Sequence, residues 1–550
     1  MSGFRFLWTA LLLAAVTAHA PADDRPNIVI ILADDMGFSD VGCYGSEIST
    51  PNIDSLAARG IRLTQFYNCA RCCPTRASLL TGLYPHQAGI GYMEPTNKYN
   101  RPIAHLPQYQ GFLNRRCLTI AEGLRAAGYQ TLMAGKWHVG AEEGQRPLDR
   151  GFQRFFGLYG GACNYFRPQQ GQIIDQYKPF WPLPDDFYTT DYFARYAARF
   201  IAEADRSRPV FLYLAFTAPH WPLHAWPEDI ARHRGKYRIG WDELRRRRFA
   251  AQKQMGLFPA QAQLSPRHPE SYDWAAADQD DMDLRMAVYA AMIERMDRGI
   301  GQVLDALRES GREDNTLIFF LSDNGACAEP LGKNQPKAKP PGPPDSFTAY
   351  YLPWANASNT PLRLFKHWVH EGGIATPLIV CWPRRIPRGA INTRQVGHVI
   401  DIMPTCLEAA AITCPERRNG EVLLPLEGKS LMDALVDPNV VQPRTLFWEH
   451  EGNRAVRHGR WKLVSYYDDV HEDIGRVGTG IRTGKWELYD METDRTELRD
   501  LAAQMPDKVR QLAQMYEQWA ARVGVRDWQE LLHLGGFEKT DPARATPDRK

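Results

Sequence analysis

The feature that most constrains this chain is a set of short, unbroken apolar runs, each closed by a polar cluster. Residues 27–33 (NIVIILA) end in Asp34-Asp35-Met36-Gly37, and residues 316–321 end in Ser322-Asp323-Asn324-Gly325. Residues 209–216 (PVFLYLAF) have His220 just beyond them, and residues 129–134 run into Gly135-Lys136-Trp137-His138. Runs of this length without polar alternation read as strands covered on both faces, the situation of a parallel sheet between helix layers. Helices fall between them: 50–59 opened by Pro51, 118–127 closed at Gly128, and 282–307 with Met286, Tyr289, Ile293 and Met296 on one face. Residues 376–381 read as one more buried strand. From about residue 444 the texture changes to short strands at 445–449, 453–458, 461–466 and 486–489, then a helix at 506–523. The expected fold is α/β. A large, mostly parallel sheet is flanked by helices, and a smaller C-terminal α+β domain contains an antiparallel sheet. Ligands of such sheets bind outside the carboxyl ends of the strands, where the polar clusters sit.

Composition narrows the class. The 550 residues are 44% apolar and 24% charged, and the 43 Gly and 39 Pro follow no period, which excludes collagen-like and disordered chains. With 66 basic and 64 acidic residues nothing in the balance points to nucleic acid. The basic run Arg245 to Arg248, inside the polar stretch 230–281, reads as a solvated helix face, and residues 335–344 read as a surface loop. At the amino end, a basic residue by Arg5, an apolar stretch at 7–16 and Ala18-His19-Ala20 have the layout of a signal peptide. The apolar stretch is short of the roughly 20 residues a span requires. The expectation is an exported protein, periplasmic or secreted, without an integral membrane span. Domains are then expected at 1–20 (signal), 21–440 (catalytic α/β) and 441–550 (C-terminal α+β). Export permits disulfides among the ten cysteines, and Cys406 with Cys414 could close a loop.

The sharpest local signal is Arg71-Cys72-Cys73-Pro74-Thr75-Arg76-Ala77-Ser78-Leu79-Leu80-Thr81-Gly82. Pro74 suits a first helical turn, which places Cys72 at a helix N-terminus with Arg76 one turn on, a setting that favours an anion. Cys69-x-x-Cys72 also admits a redox or metal pair, and a buried structural cysteine is a third reading. Asp34, Asp35, Asp323 and Asn324 are hard oxygen donors, suited to Ca²⁺ or Mg²⁺. Each alone could be a turn residue; at the ends of two parallel strands together they favour a metal. His86 and His224 are further candidates for substrate positioning or the pocket wall, each equally readable as structural.

Cys72-x-Pro74-x-Arg76 followed by Leu80-Thr81-Gly82 resembles the modification motif of the formylglycine-dependent sulfatases. The resemblance extends along the chain. Pro26-Asn27 leading to Asp34-Asp35, the Lys136–His138 turn, Ala218-Pro219-His220, Ser322-Asp323-Asn324-Gly325 and Lys366 ahead of Glu371-Gly372-Gly373 stand in the family's order. Phe38-Ser39-Asp40 and Gly240-Trp241-Asp242 look most like its bacterial arylsulfatase branch, in the alkaline phosphatase superfamily. The resemblance implies oxidation of Cys72 to formylglycine by a sulfatase-maturing enzyme. It also implies a metal held by Asp34, Asp35, Asp323, Asn324 and residue 72, and catalytic roles for Arg76, Lys136, His138, His220 and Lys366. One hydroxyl of the aldehyde hydrate attacks sulfur with Asp323 as base, and His220, assisted by Lys366, protonates the departing alcohol. His138 deprotonates the second hydroxyl, which expels sulfate. The substrate is then an aryl sulfate or a sulfated carbohydrate. A phosphonate monoester or phosphodiester hydrolase of the same superfamily, and a binding-only relative with an unmodified Cys72, are the alternatives. Thr75 stands where many members have Ser, and Cys73 adds a second thiol beside the motif.

Overall fold

The computed structural model describes residues 25–93, 103–331, 339–467 and 484–534. The expected signal segment 1–20 and part of the 335–344 loop lie outside the described residues. One sheet contains β1 (Asn27–Ala33), β2 (Ile61–Tyr67), β3 (Gln130–Lys136), β4 (Arg154–Leu158), β5 (Ile174–Asp175), β6 (Lys178–Pro179), β7 (Val210–Ala215), β8 (Thr316–Ser322), β9 (Ala375–Cys381) and β10 (Ala390–His398). Their spatial order is β10-β2-β9-β8-β1-β7-β3-β4-β5-β6. The neighbours β8, β1, β7, β3 and β4 are parallel. β9 runs against both β8 and β2, and β10 runs with β2. The segment entering β9 therefore lies at the same edge as the carboxyl ends of its neighbours.

Side chains alternate across a strand. Val29 and Ile31 enter one core, and Ile28, Ile30 and Leu32 enter the other. Helices cover both, which is why the whole run is apolar. The long helix is Gln279–Glu309, three residues longer at its start than the apolar pattern indicated, because the Asp278 side chain caps it by accepting from the Asp281 N–H. It packs on the Thr189–Ala202 helix where a Cβ on Gly299 would fall 2.8 Å from the Ala194 Cβ. Only glycine admits that approach.

One expectation is corrected. The Arg245–Arg248 run lies in the Gly240–Gln254 helix, but Arg245 and Arg248 are buried. Helical spacing turns both inward. Arg248 meets Asp40 at 2.6 Å and Glu47 at 2.9 Å, and Arg245 donates to the Ser265 carbonyl at 2.6 Å. Only Arg246 and Arg247 face solvent, beside Glu243.

After a two-residue hairpin, β11 (Arg417–Arg418) and β12 (Glu421–Val422), the C-terminal antiparallel sheet follows as β13 (Thr445–His450), β14 (Asn453–His458), β15 (Trp461–Ser465) and β16 (Trp486–Asp490). The Pro506–Val523 helix lies on it, with Trp519 stacked on Phe447 at 5.2 Å. Polar bonds tie this sheet to the large one. Lys462 meets Glu371 at 2.9 Å, and the Trp448 indole N–H donates to the Asn68 carbonyl at 2.8 Å. Cys406 and Cys414 are unbonded thiols, so the loop-closing disulfide is not formed. Among the described residues no helix is long and apolar enough to cross a membrane.

Candidate active site

Four adjacent strands deliver the polar clusters to one place. Asp34 and Asp35 leave β1, Asp323 and Asn324 leave β8, His220 follows β7, and Lys136 ends β3. β3 is longer than the apolar run suggested, so Lys136 is a strand residue and not part of the turn. Lys366 arrives from the segment entering β9. Backbone bonds lock the strand ends together: Asp34 N–H to the Ala218 carbonyl (3.0 Å) and Asp323 N–H to the Ala33 carbonyl (3.1 Å). The next turn is buttressed from the helical layer, where Asp40 accepts from the Tyr289 hydroxyl at 2.8 Å and from Arg248.

Carboxylates and cations interleave. Lys136 Nζ lies 2.6 Å from Asp34 Oδ2. Arg76 grips Asp323 Oδ2 through Nε (3.0 Å) and Nη2 (2.7 Å), while its Nη1 donates to the Lys136 carbonyl at 2.9 Å. Lys366 Nζ stands 2.9 Å from Asp35, which also accepts from Asn324 Nδ2 at 2.6 Å. His220 Nδ1 donates to the Trp221 carbonyl at 2.6 Å, leaving Nε2 to face Asp35 at 3.5 Å. All of these side chains are buried.

Cys72 opens the Cys72–Thr81 helix after extended Arg71, and its thiol lies with that of Cys73 and a His138 ring nitrogen within 4.8 Å of one another. A hydrogen bond from Cys73, with the charges of Lys136 and His138, holds the Cys72 thiol well below its ordinary range despite burial. His138 and Asp35 both have left-handed backbone (φ 59° and 63°). Non-glycine residues there cost energy and cluster at functional sites. Gly161 lets the His138 ring sit where it does, since a Cβ at 161 would fall 2.7 Å from it.

The site has the chemistry of a cation site. Burial, opposed by Lys136 and Arg76, raises the Asp34 carboxyl to about 6. Burial and the neighbouring Asp34 raise Asp323 to about 7. Burial would raise Asp35 too, but Lys366 and His220 bring it down to about 2. Asp34 Oδ1 and Asn324 Oδ1 are buried acceptors without a hydrogen bond. A buried orphan acceptor calls for a partner, and a hard divalent ion among oxygen donors supplies one. The residues present therefore fit Ca²⁺ or Mg²⁺.

Other candidates fall outside this cluster. His86 Nε2 meets Glu449 Oε2 at 2.9 Å, joining the short Pro85–Ala88 helix to β13. His224 donates to the Ser346 carbonyl at 2.8 Å and accepts from the Tyr165 N–H; both ring nitrogens are spent on structure. The Cys69 thiol turns to Ser78 at 3.5 Å, away from a pairing with Cys72. Two residues at the rim carried no signal of their own in the sequence: Arg71 and Glu329, whose ends lie 3.1 Å apart beside Lys366.

Comparison with known proteins gives the same direction. Residues 26–412, well over half of the chain, match the family model described as Sulfatase. The chain belongs to the sulfatase family. Residues 363–522 of this sulfatase also match the model for the N-sulphoglucosamine sulphohydrolase C-terminal region. It is 38% identical to an uncharacterised sulfatase of Schizosaccharomyces pombe, over 91% of this chain and 94% of that one. It is 36% identical to the arylsulfatase of Klebsiella aerogenes, over 76% and 94%. The crystal structure of Ps i-CgsB superposes with a TM-score of 0.67 at 25% identity, covering 95% of this sulfatase and all of that chain. The enzyme is a sulfuric ester hydrolase with the alkaline phosphatase-like fold of its neighbours.

Proposed function

We propose that this sulfatase hydrolyses sulfate monoesters of phenols or sugars with residue 72 as nucleophile, after a sulfatase-maturing enzyme has oxidised Cys72 to formylglycine. The observation that carries this reading is the convergence of Cys72, three carboxylates, three fixed cations and two histidines in one buried cluster at the strand ends. The sugar alternative draws support from the human N-acetylgalactosamine-6-sulfatase, 29% identical over 84% of this chain and 77% of that one.

Asp34, Asp35, Asp323 and Asn324 would hold the Ca²⁺ or Mg²⁺, with residue 72 completing the set. That ion supplies Lewis-acid polarisation of a sulfuryl oxygen. The chain does the rest. Arg76 and Lys136, each anchored by a buried carboxylate, present fixed positive charge to the sulfuryl oxygens without reorganising. Lys366 and His220 stand on the leaving-group side. With Nδ1 donating to a carbonyl, His220 Nε2 hands a proton to the departing oxygen only from the imidazolium; burial lowers the ring to about 4, and the adjacent Asp35 carboxylate opposes that shift. His138 beside residue 72 is placed to take a proton from that side chain before sulfate is released. The catalytic part is read as residues 21–440 with 441–550 supporting it, and the protein as exported to the periplasm or medium.

The test compares turnover of nitrophenyl sulfate and a phenylphosphonate ester by protein co-expressed with a formylglycine-generating enzyme. Sulfate preferred, and lost in Cys72→Ala, is expected. Preference for the phosphonate would move the enzyme to the phosphonate and phosphodiester hydrolases.

A further inference from the structure

Beyond Lys366, on the leaving-group side, the rim carries a second arrangement that the hydrolytic machinery does not use. Glu329 Oε1 lies 3.1 Å from Arg71 Nη1 and 4.0 Å from Lys366 Nζ. Glu329 Oε2 accepts from the Trp221 indole N–H at 2.7 Å. That bond fixes the Trp221 ring, which lies against His220 (4.5 Å) on one side and edge-to-face with Phe347 (5.7 Å) on the other. Phe347 is 52% exposed, so its ring is open to a ligand. The Arg71 and Glu329 side chains are 7% and 11% exposed, and Arg71 Nε is a buried donor without a partner.

These groups have a common use. Each Glu329 oxygen has a protein donor and a further lone pair, so the carboxylate can accept hydroxyl donors from a ligand. Arg71 Nε can donate to one. Trp221 and Phe347 offer apolar faces for the C–H side of a ring. Charge decides the rest: among the described residues Arg71 offsets Glu329 and Lys366 is held by Asp35, so they leave no spare positive charge at the rim to receive a second anion. A carboxylate or second sulfate placed here would meet Glu329 in a desolvated corner, which selects against it. A phenol would use the rings but leave Arg71 Nε without a partner.

We propose that Glu329, Arg71, Trp221 and Phe347 form the leaving-group subsite and select a neutral, hydroxyl-bearing sugar ring over one that carries another anionic group. The inference rests on the sulfate-ester reading above. Glu329 is the specificity-determining residue, and Trp221 links it to the proton-donating His220.

The test uses the mature enzyme and measures kcat/KM on nitrophenyl sulfate, on monosulfated neutral hexoses and on the matching disulfated hexoses. Wild type should prefer the neutral esters. Glu329→Gln should lower the ratio of neutral to disulfated turnover by about tenfold or more, the effect of losing hydrogen bonds to a charged group. Phe347→Ala, at an exposed position where folding is not at stake, should raise KM for the neutral hexose ester more than for nitrophenyl sulfate. An unchanged ratio in Glu329→Gln, a wild-type preference for disulfated sugars, or turnover of nitrophenyl sulfate with every sugar ester refused would overturn the subsite. Those results would leave the sulfatase reading standing, whereas inactivity on all sulfates with residue 72 modified would remove both.

Discussion

At the scale of the residue, the site depends on charges that hold one another in place. Arg76 is fully buried and is the partner of both Asp323 and Asp34. Removing one member of such a group strands the others, which costs about 3–5 kcal/mol. Arg76→Ala should therefore lower the urea midpoint of unfolding as well as abolish turnover; unchanged stability would refute its structural part. Gly161 is a subtler case. Alanine there would push the His138 ring by a fraction of its 2.7 Å contact, and misplacing a catalytic group by about 1 Å can cost a hundredfold in rate. Gly161→Ala should depress kcat strongly at an unchanged melting temperature. Residues of this kind differ in legibility. Cys72, the Asp34-Asp35 and Asp323-Asn324 pairs and Lys366 were readable because motif order marks them. Glu329 and Arg71 were not, because their meaning lies in a contact between distant parts of the chain. Gly161 was hidden for the same reason: nothing local says that a histidine ring rests on it.

At the scale of the element, β1, β3, β7 and β8 were legible because burial on both faces leaves no room for polar residues. β2 and β10 were not. Arg62, Thr64 and Gln65 interrupt β2, and β10 is a polar edge strand whose Thr393, Arg394 and Gln395 conceal it. The reversal of β9 was equally invisible, since an apolar run carries no direction. It matters, because the reversal brings Lys366 to the site and sets Glu371 beneath β15. Burial would raise the Glu371 carboxyl, but Lys462, Arg495 and Arg457 bring it from 4.5 to about 2. A depressed carboxyl stabilises the fold above its unfolded value and loses that contribution as pH falls. The window here is pH 4.5 down to about 2, and the difference corresponds to about 3 kcal/mol. Acid titration followed by tryptophan fluorescence should report loosening of the β13–β16 sheet in that window. Glu371→Gln should be less stable at neutral pH and lose that pH dependence; a mutant as acid-sensitive as wild type would contradict the assignment.

At the scale of the whole molecule, the two sheets work as one body. Glu451, in the turn between β13 and β14, meets His367 at 2.8 Å, and His367 adjoins Lys366. The small sheet thereby steadies a loop of the site, which gives the C-terminal part a role in positioning. On the proposed reading, the three carboxylates would tie a metal to stability in the same way. An ion bound only by the folded state at a hundred times its Kd adds about 2.7 kcal/mol. Exhaustive chelation should lower the melting temperature, and added Ca²⁺ or Mg²⁺ should restore it; a melting curve indifferent to both would exclude the ion from the Asp34, Asp35, Asp323 and Asn324 cluster.

The central claim is that residue 72 acts as formylglycine, and the mass of one peptide tests it. Trypsin releases residues 72–76 from the protein. In enzyme that turns over nitrophenyl sulfate, this peptide should carry an oxygen in place of the cysteine sulfur and two hydrogens fewer. The modified fraction should rise in proportion to specific activity across preparations. An intact Cys72 thiol in fully active enzyme would contradict the account.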